Sequence, residues 1–258
     1  MADPVGVAGC LSWHDASDAS TLYDATSGGS LVVADAAVAR FEDKSGNGYH
    51  LINATSAQRP LRKTSIQHSH DCLLFDGTDD RLRSSSNFPE TGNAEFSTFV
   101  VSKKLTATKG TLFGWGQSSS LNGSGLYDDN SFVLYGYGGG NSYIISTIPT
   151  TDFYLHSYLK SAGAINTSST ARRNRSNTAT SGHQTTTPNI AADKLSLGIW
   201  SNFTSVFYHG YVAEMVIYDS KLSDADRDLV ESYLYTKWIA PPATSRRRMT
   251  QASIRSTY

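Results

Sequence analysis

The sequence has few charged residues, cysteines, prolines and methionines. Charged residues make up 17% of its 258 residues, which include 2 cysteines, 7 prolines and 3 methionines. Cys10 and Cys72 could form one disulfide, and two buried free thiols are the favoured alternative. A chain of this length buries a core large enough to need no disulfide framework. Its stability is therefore expected to come from packing.

Long apolar runs are also missing. No stretch approaches the ~20 apolar residues that cross a bilayer, so we expect no membrane span. The first ten residues have neither the basic nor the apolar region of a signal peptide. We therefore expect synthesis in a cytoplasm, with any external destination reached by a route other than classical secretion.

The net charge of −1 conceals an uneven distribution. Residues 241–258 contain no acid and four arginines, Arg246, Arg247, Arg248 and Arg255. The remaining chain carries 18 of the 22 basic residues and all 23 acids. A mildly acidic body argues against nucleic acid as the main partner. The sequence thus predicts a folded part over 1–240 and a basic docking tail over 241–258.

The residues that are abundant favour strands and tight turns. The chain has 14 tyrosines and 21 glycines, and its short apolar or alternating runs are separated by Gly, Asn, Asp and Ser. In the run 195–200, we expect Leu195, Leu197 and Ile199 to be buried and Ser196 to be exposed. Candidate strands span residues 10–14, 38–41, 73–75, 98–102, 111–115, 131–137, 143–148, 153–159, 195–200, 206–209 and 211–218.

One helix is predicted, over residues 223–239. Ser223 can serve as its N-cap, and Asp226, three residues later, can serve as the acid of a capping box. The proline pair 241–242 ends the helix. Residues 160–193 are rich in Ser, Thr, Asn and Ala, which favours a mobile loop or a weak hairpin. The apolar stripe of the helix consists of Leu229, Val230, Tyr233, Leu234 and Trp238.

Four segments, in order along the chain, carry a family resemblance. Residues 11–16 form an opening strand and turn, and residues 40–48 (RFEDKSGNG) look like a W-x-D-x-S-G-N-G turn with Phe41 in the Trp position. Residues 74–82 (LFDGTDDRL) match F-D-G-x-D-D-x-L, and residues 210–218 are followed by the helix. Together, over roughly 11–240, they resemble the laminin-G-like family of concanavalin A-type sandwiches, common in bacterial surface and bacteriophage structural proteins. The resemblance implies an all-β, two-sheet antiparallel jelly-roll sandwich with one C-terminal helix.

Catalytic and metal-binding residues are sparse. Related sandwiches that cut glucans place several acids at alternate positions of one strand, whereas residues 211–218 offer only Glu214, expected to be structural. The pair His68 and His70 is expected in a solvated loop. No cofactor is expected. Calcium is kept as an alternative, and its candidate ligands are Asp76, Asp79 and Asp80, or Asp128 and Asp129.

Aromatic residues supply the main functional signal. Several strands place an aromatic ring on the face opposite their apolar residues, where it suits sugar stacking or a protein interface. An equally weighted alternative is that these rings cover a sheet beneath a loop or the helix. The candidates are Tyr135, Tyr137, Tyr154, His156, Tyr158 and Trp200.

Three functions follow, in order of preference. The first is a non-enzymatic structural or adhesion protein, namely a homo-oligomeric bacteriophage virion component that decorates a capsid or fibre. Its tail would dock on other virion or surface proteins, and its partner could include a host glycan. The second is a carbohydrate-binding module of a bacterial surface or polysaccharide-degrading system. The third is a glycoside hydrolase or lyase.

Overall fold

The computed structural model describes residues 3–117, 122–128, 132–135, 143–146, 152–177, 185–200 and 203–240. Almost all of its regular structure is β, with a short helix α1 (Ile165–Ser168) and the C-terminal helix α2 (Asp224–Leu234). The strands are β1 (Cys10–Asp15), β2 (Leu22–Tyr23), β3 (Arg40–Phe41), β4 (Leu51–Ile52), β5 (Leu61–Gln67), β6 (His70–Asp76), β7 (Leu82–Asn87), β8 (Phe96–Lys104), β9 (Gly110–Gly116), β10 (Gly123–Asp128), β11 (Phe132–Tyr135), β12 (Tyr143–Ser146), β13 (Tyr154–Lys160), β14 (Ser169–Arg173), β15 (Ser176–Asn177), β16 (Lys194–Leu197) and β17 (His209–Tyr218).

These strands form two antiparallel sheets, which confirms the predicted all-β fold with two sheets and a C-terminal helix. Sheet A has the order β15-β14-β13-β8-β17-β6-β5, and β1 pairs with the second half of β17. Sheet B has the order β12-β11-β10-β9-β16-β7-β4-β3-β2. Consecutive strands often belong to different sheets, so the chain crosses repeatedly between them.

Sheet A is buried on both faces. In β17, Val212, Met215 and Ile217 pack between the sheets, whereas Val216 and Tyr218 belong to a second core under α2. A strand covered on both sides needs apolar residues at successive positions, which explains the continuous apolar run of β17. The helix contributes Val230, Leu234 and Trp238 to this second core.

Strand β16 lies in the middle of sheet B and tests the predicted register. Leu195, Leu197 and Ile199 are all 0% exposed, as expected. Ser196 is also 0% exposed, so its predicted exposure is wrong. Its neighbours in the sheet are Arg83 and Gly114, and the ring of Trp200 lies directly over Gly114. The outer face of the sheet is therefore covered at this point.

The C-terminal helix begins as predicted. The Ser223 side chain accepts a hydrogen bond from the Asp226 backbone N–H at 3.2 Å and donates one to its carboxylate at 2.7 Å. After Leu234 the helix continues as a π-helical turn to residue 239. Leu229 was placed on the apolar stripe but is 53% exposed. The buried line repeats every four residues through 230, 234 and 238, and residue 229 falls about 100° away from it.

The segment 160–193 contains α1 and, within its described residues, the hairpin β14–β15. Asn174 and Arg175 form its two-residue turn, with φ angles of 49° and 69°. Positive φ at both positions is the geometry that matches the twist of a tight hairpin. The weak-hairpin alternative is therefore confirmed for this part of the segment.

Both cysteines are free thiols. Cys72 is buried and Cys10 is half-buried, and burial raises the pKa of Cys10 to about 12. Among the described helices, none has the length and apolar character needed to cross a bilayer. The tail 241–258, with Arg246, Arg247, Arg248 and Arg255, lies outside the described residues, so its docking role stays a prediction.

Candidate functional site

Three chain crossings meet at one place on the sandwich and enclose a cleft of about 510 Å³. The crossings are residues 53–60 between β4 and β5, residues 77–81 between β6 and β7, and residues 198–208 between β16 and β17. Loops positioned by a rigid sheet framework are the usual location of binding residues. The cleft is lined by Gln58, Thr78, Asp79, Arg81, Arg83, Phe203, Thr204 and Phe207.

Two arginines lie in this cleft because of the strand period. Leu82 separates Arg81 from Arg83 and is 0% exposed, packed in the core between the sheets. Side chains alternate across a strand, so both arginines project from the opposite, outer face. They also line a second, adjoining cavity of about 220 Å³ with Asn53 and Lys194. The two cavities thus share a cationic floor.

The two guanidinium groups are held very differently. Arg81 donates to the Gln58 side-chain oxygen at 2.5 Å and to the Asp79 carbonyl at 3.3 Å. Arg83 has one hydrogen bond at the limit of the distance range, to the Trp200 carbonyl at 3.5 Å. Among the residues that the structure describes, its buried Nε atom has no hydrogen-bond partner.

No carboxylate among the described residues forms an ion pair with Arg83. Two causes lower the pKa of Arg83: burial, which is the larger, and the positive charge of Arg81. The negative charge of Asp193 raises this pKa and only partly offsets them. Ser196 is its cross-strand neighbour, and the Ser196 hydroxyl is likewise buried without a partner. Buried polar groups are normally hydrogen-bonded, so unsatisfied groups at one place call for an explanation.

An acidic turn adjoins the cleft, and one of its three carboxylates, Asp79, lines it. Asp76, Asp79 and Asp80 each offer a carboxylate oxygen within 4.8 Å of the others. Asp76 accepts the backbone N–H groups of Thr78 and Asp79, and Asp80 accepts that of Asp76 at 2.9 Å. Burial raises the pKa of Asp80 to about 6. Such an oxygen cluster could hold a hard cation such as calcium, although two of the carboxylates already close the turn.

Two phenylalanines also line the cleft. Phe203 and Phe207 are both half-buried, and the Phe203 ring lies 6.2 Å from that of Trp200. The Trp200 side chain projects from the predicted outer face but is 0% exposed, so its predicted role as a surface ring is wrong. It packs where Gly114 and Gly123 lack side chains and donates to the Gly116 carbonyl at 2.8 Å. Trp200 thus covers the sheet and supports Phe203.

The predicted aromatic face of β13 is largely buried. His156 and Tyr158 are each 2% exposed, so the prediction that they face a ligand is wrong. The sequence identified a single core face, but sheet A is covered on both sides. Tyr158 packs between the sheets, 5.8 Å from the Phe96 ring, while Leu155 packs under α2.

Tyr154, on the same strand, is half-buried and 5.2 Å from the Arg173 guanidinium. It lines a separate cavity of about 270 Å³ together with Lys103 and Asn174. Of the aromatic candidates whose side chains are described, Tyr154 alone lines a cavity. Tyr135 ends β11, but its side chain, like all of Tyr137, lies outside the described residues.

A second group of charges is buried under the C-terminal helix. Glu214 is 0% exposed and accepts hydrogen bonds from the indole N–H groups of Trp13 and Trp238, both at 2.7 Å. Lys237 donates to Glu214 at 2.7 Å and to Asp15 at 2.8 Å. Every charge here has partners, and these contacts join β1, β17 and the helix. The structural role expected for Glu214 is confirmed.

The solvated loop predicted for the histidine pair is wrong, because both side chains are half-buried and His70 begins strand β6. His68 and Ser69 are the two turn residues of the β5–β6 hairpin, with φ angles of 49° and 66°. The His70 ring lies 5.1 Å from that of Trp238. Within the described ranges, Asp76, Asp79 and Asp80 are the one cluster with metal-ligand spacing. Asp129 lies outside the described residues, as does the side chain of Asp128.

Solved structures similar to this chain come from carbohydrate-active enzymes. Domain 4 of the GH43 extracellular arabinanase AbnA from Geobacillus stearothermophilus, solved with arabinotriose, matches 87% of this chain and 99% of that domain, at 15% identity and a TM-score of 0.58. A GH54 α-L-arabinofuranosidase matches 90% of this chain and 64% of its own, at 15% identity and a TM-score of 0.63. Trypanosoma rangeli sialidase matches 90% of this chain and 34% of its own, at 14% identity and a TM-score of 0.57.

At these identities the likeness establishes the fold, a sandwich of the kind found in lectins and glucanases. No family model matches the sequence, and no curated protein matches it either. The glycoside hydrolase and sialidase neighbours overturn the expectation of a non-enzymatic bacteriophage structural or adhesion protein.

Proposed function

We propose that this chain recognises carbohydrate through the cleft between β7 and the 198–208 crossing, as a domain of a polysaccharide-degrading system. The observation that carries the proposal is that aromatic and polar side chains line the same cleft. Phe203 and Phe207 offer apolar ring surface, and Arg81, Arg83 and Gln58 offer hydrogen-bond donors and acceptors. Sugars have apolar ring faces and polar edges, so a cleft lined by both kinds of side chain suits them.

We also infer that the sandwich is a laminin-G-like, concanavalin A-type jelly roll. Two of the segments that resemble this family, residues 40–48 and 74–82, support the inference. Residues 40–48 make a turn in which Asp43 accepts the backbone N–H groups of Trp13, Ser45 and Tyr49. Residues 74–82 include the turn that lines part of the cleft. We infer that the turns in these family-like segments position the residues of the binding site.

The test is calorimetric titration of the whole chain with neutral and acidic oligosaccharides, including arabinotriose. Replacing Phe203 or Phe207 with Ala should weaken binding about tenfold, because losing a stacking ring costs on the order of 1 kcal/mol or more. Tyr154→Ala, in the separate cavity, is the matched control and should leave the affinity unchanged. Affinity that depends on Tyr154 and not on Phe203 would move the site to the other cavity. Absence of any saturable binding would refute the proposal.

Glycoside hydrolysis is a second candidate, supported by the acids of the turn that adjoins the cleft. Retaining glycosidases use two carboxyl groups about 5 Å apart, one of them protonated near neutral pH. Here Asp79 lines the cleft, and Asp80, which is buried beside it with a pKa of about 6, has a carboxylate oxygen within 4.8 Å of one of Asp79.

Hydrolysis is tested by measuring release of reducing ends from the oligosaccharide that binds. Because a general acid must be protonated, the rate should fall as the pH rises through about 6. Asp79→Asn should abolish the rate while the oligosaccharide still binds. If wild-type protein binds the oligosaccharide but never cleaves it, this second candidate is wrong.

A further inference from the structure

The charges that line the cleft do not balance. Arg81 and Arg83 contribute two positive charges, and Asp79 contributes one negative charge. Lys194, in the adjoining cavity, adds another positive charge. An exposed cation is balanced by water and salt, but the Arg83 Nε atom is buried and has no acceptor within the described part of the chain. A desolvated donor without an acceptor is costly unless something fills its place.

We propose that the cleft binds a sugar that carries a carboxylate group, a hexuronate residue being the simplest case, and that Arg83 together with Arg81 receives the carboxylate. This inference rests on the proposed carbohydrate recognition and names its substrate class. The rings of Phe203 and Phe207 would pack on the sugar ring while the acid group faces the guanidinium floor.

A carboxylate fits these donors for geometric reasons. The planar guanidinium group presents parallel N–H donors that match the two oxygens of a carboxylate. Arg81 is already oriented by Gln58 and the Asp79 carbonyl, so it loses little freedom when a ligand binds.

The overall charge of the cleft limits the ligand further. Two arginines and Asp79 leave one net positive charge, which a single carboxylate neutralises. A doubly charged phosphate would exceed this charge, and Asp79 would repel it more strongly than a singly charged carboxylate. The structure therefore favours an acidic sugar over a phosphorylated one.

The experiment titrates the whole chain with oligogalacturonate and with the same oligosaccharide methyl-esterified at its carboxylates. The two probes share a backbone and differ in charge. The acid form should bind at least tenfold more tightly, and the difference should shrink at high salt because exposed charges are screened. Arg83→Met should weaken binding of the acid much more than binding of the ester, so that the difference in affinity between the two probes disappears. Arg227→Met, which removes a positive charge from α2, is the control.

The outcomes separate the two proposals. Equal binding of acid and ester, weakened by Phe203→Ala, would overturn the carboxylate assignment and retain carbohydrate recognition. Tighter binding of a sulfated oligosaccharide than of the uronate would also overturn the assignment. Failure of every oligosaccharide to bind would refute carbohydrate recognition itself. An equal loss of acid binding in Arg227→Met would show a general charge effect and overturn the assignment to Arg83.

Discussion

The molecule contains two groups of buried or half-buried charges, and they are organised in opposite ways. Under the C-terminal helix, Lys237 is bonded to both Asp15 and Glu214, and two indole groups complete the shell of Glu214. In the cleft beside sheet B, Arg81 is held by neutral oxygens, and Arg83 lacks a carboxylate among the described residues. The first group is complete in the folded chain, and the second is not.

This difference separates a structural group from a binding site. Buried charges that satisfy one another join the elements that carry them, here β1, β17 and α2. A cationic floor without a counter-charge makes no comparable contribution to folding. It raises the free energy of the folded state, and binding of an anion removes this cost. Stability and ligand response should therefore depend on different residues.

The largest expected effect comes from breaking the complete group. Glu214→Ala should lower the free energy of unfolding by about 3–5 kcal/mol, because it leaves two indole donors without their acceptor and removes one of the two carboxylates that bind Lys237. Urea denaturation at neutral pH measures this. Asp224→Ala is the control, since that carboxylate is 90% exposed and its ion pair with Arg227 contributes less than about 1 kcal/mol. A loss of similar size in the two variants would show that the buried group does not stabilise the fold.

Acid pH should weaken the same group. Burial opposes ionisation of Asp15, but the charge and hydrogen bond of Lys237 outweigh it and lower the pKa below 3.8. A lowered folded-state pKa means that the contribution of Asp15 is present at neutral pH and is lost as the pH falls below about 4.

Asp15→Asn should therefore be less stable than the wild type by about 1.5–3 kcal/mol at pH 7, and the gap should close toward pH 3. Melting temperatures recorded for both proteins across this pH range provide the measurement. A gap that stays constant would mean that the charge of Asp15 does not contribute.

Much of the fold could be predicted because strand and cap signals are local. Ser223 and Asp226 identify the start of the helix from four residues of sequence. The short polar strands were missed because nothing in them alternates strongly. Strand β7, with the sequence LRSSSN, has one large apolar residue, Leu82, yet it lies inside sheet B between β4 and β16. Its place in the sheet depends on pairing with distant strands, which local patterns do not report.

The site could be predicted less well. Trp200 was correctly placed on the outer face, but its burial depends on Gly114 and Gly123 in two other strands. The sequence did not identify Arg81 and Arg83 as site residues, because charged residues next to a turn are common. An i, i+2 arginine pair around a core leucine was the available signal. Recognising that Arg83 lacks an ion pair required knowing that the three crossings meet and that no described carboxylate pairs with it.

A variant with a smaller effect on stability should disturb only the group of charges under the C-terminal helix. Ser223→Ala removes the N-cap of α2 and should destabilise the protein by roughly 0.5–2 kcal/mol. The helix carries Trp238 and Lys237 into the paired group, whereas none of the cleft residues belongs to it. Calorimetry should therefore give the same oligosaccharide affinity for this variant and the wild type. An altered affinity would show that the two groups are coupled.

The smallest expected change in stability belongs to the incomplete group. Arg83→Met keeps the apolar stem and removes a guanidinium that is partly buried, close to Arg81 and without a carboxylate partner. The free energy of unfolding of the variant should lie between about 0.5 kcal/mol below and about 1 kcal/mol above that of the wild type. The reason is that the removed charge was repelled by Arg81 rather than paired. Urea denaturation at low and high salt checks the reason for this. Salt screens the repulsion between the two arginines, so it should stabilise the wild type more than Arg83→Met. A loss of 2 kcal/mol or more would place Arg83 with Glu214 as a structural residue, and the contrast between the two groups would no longer hold.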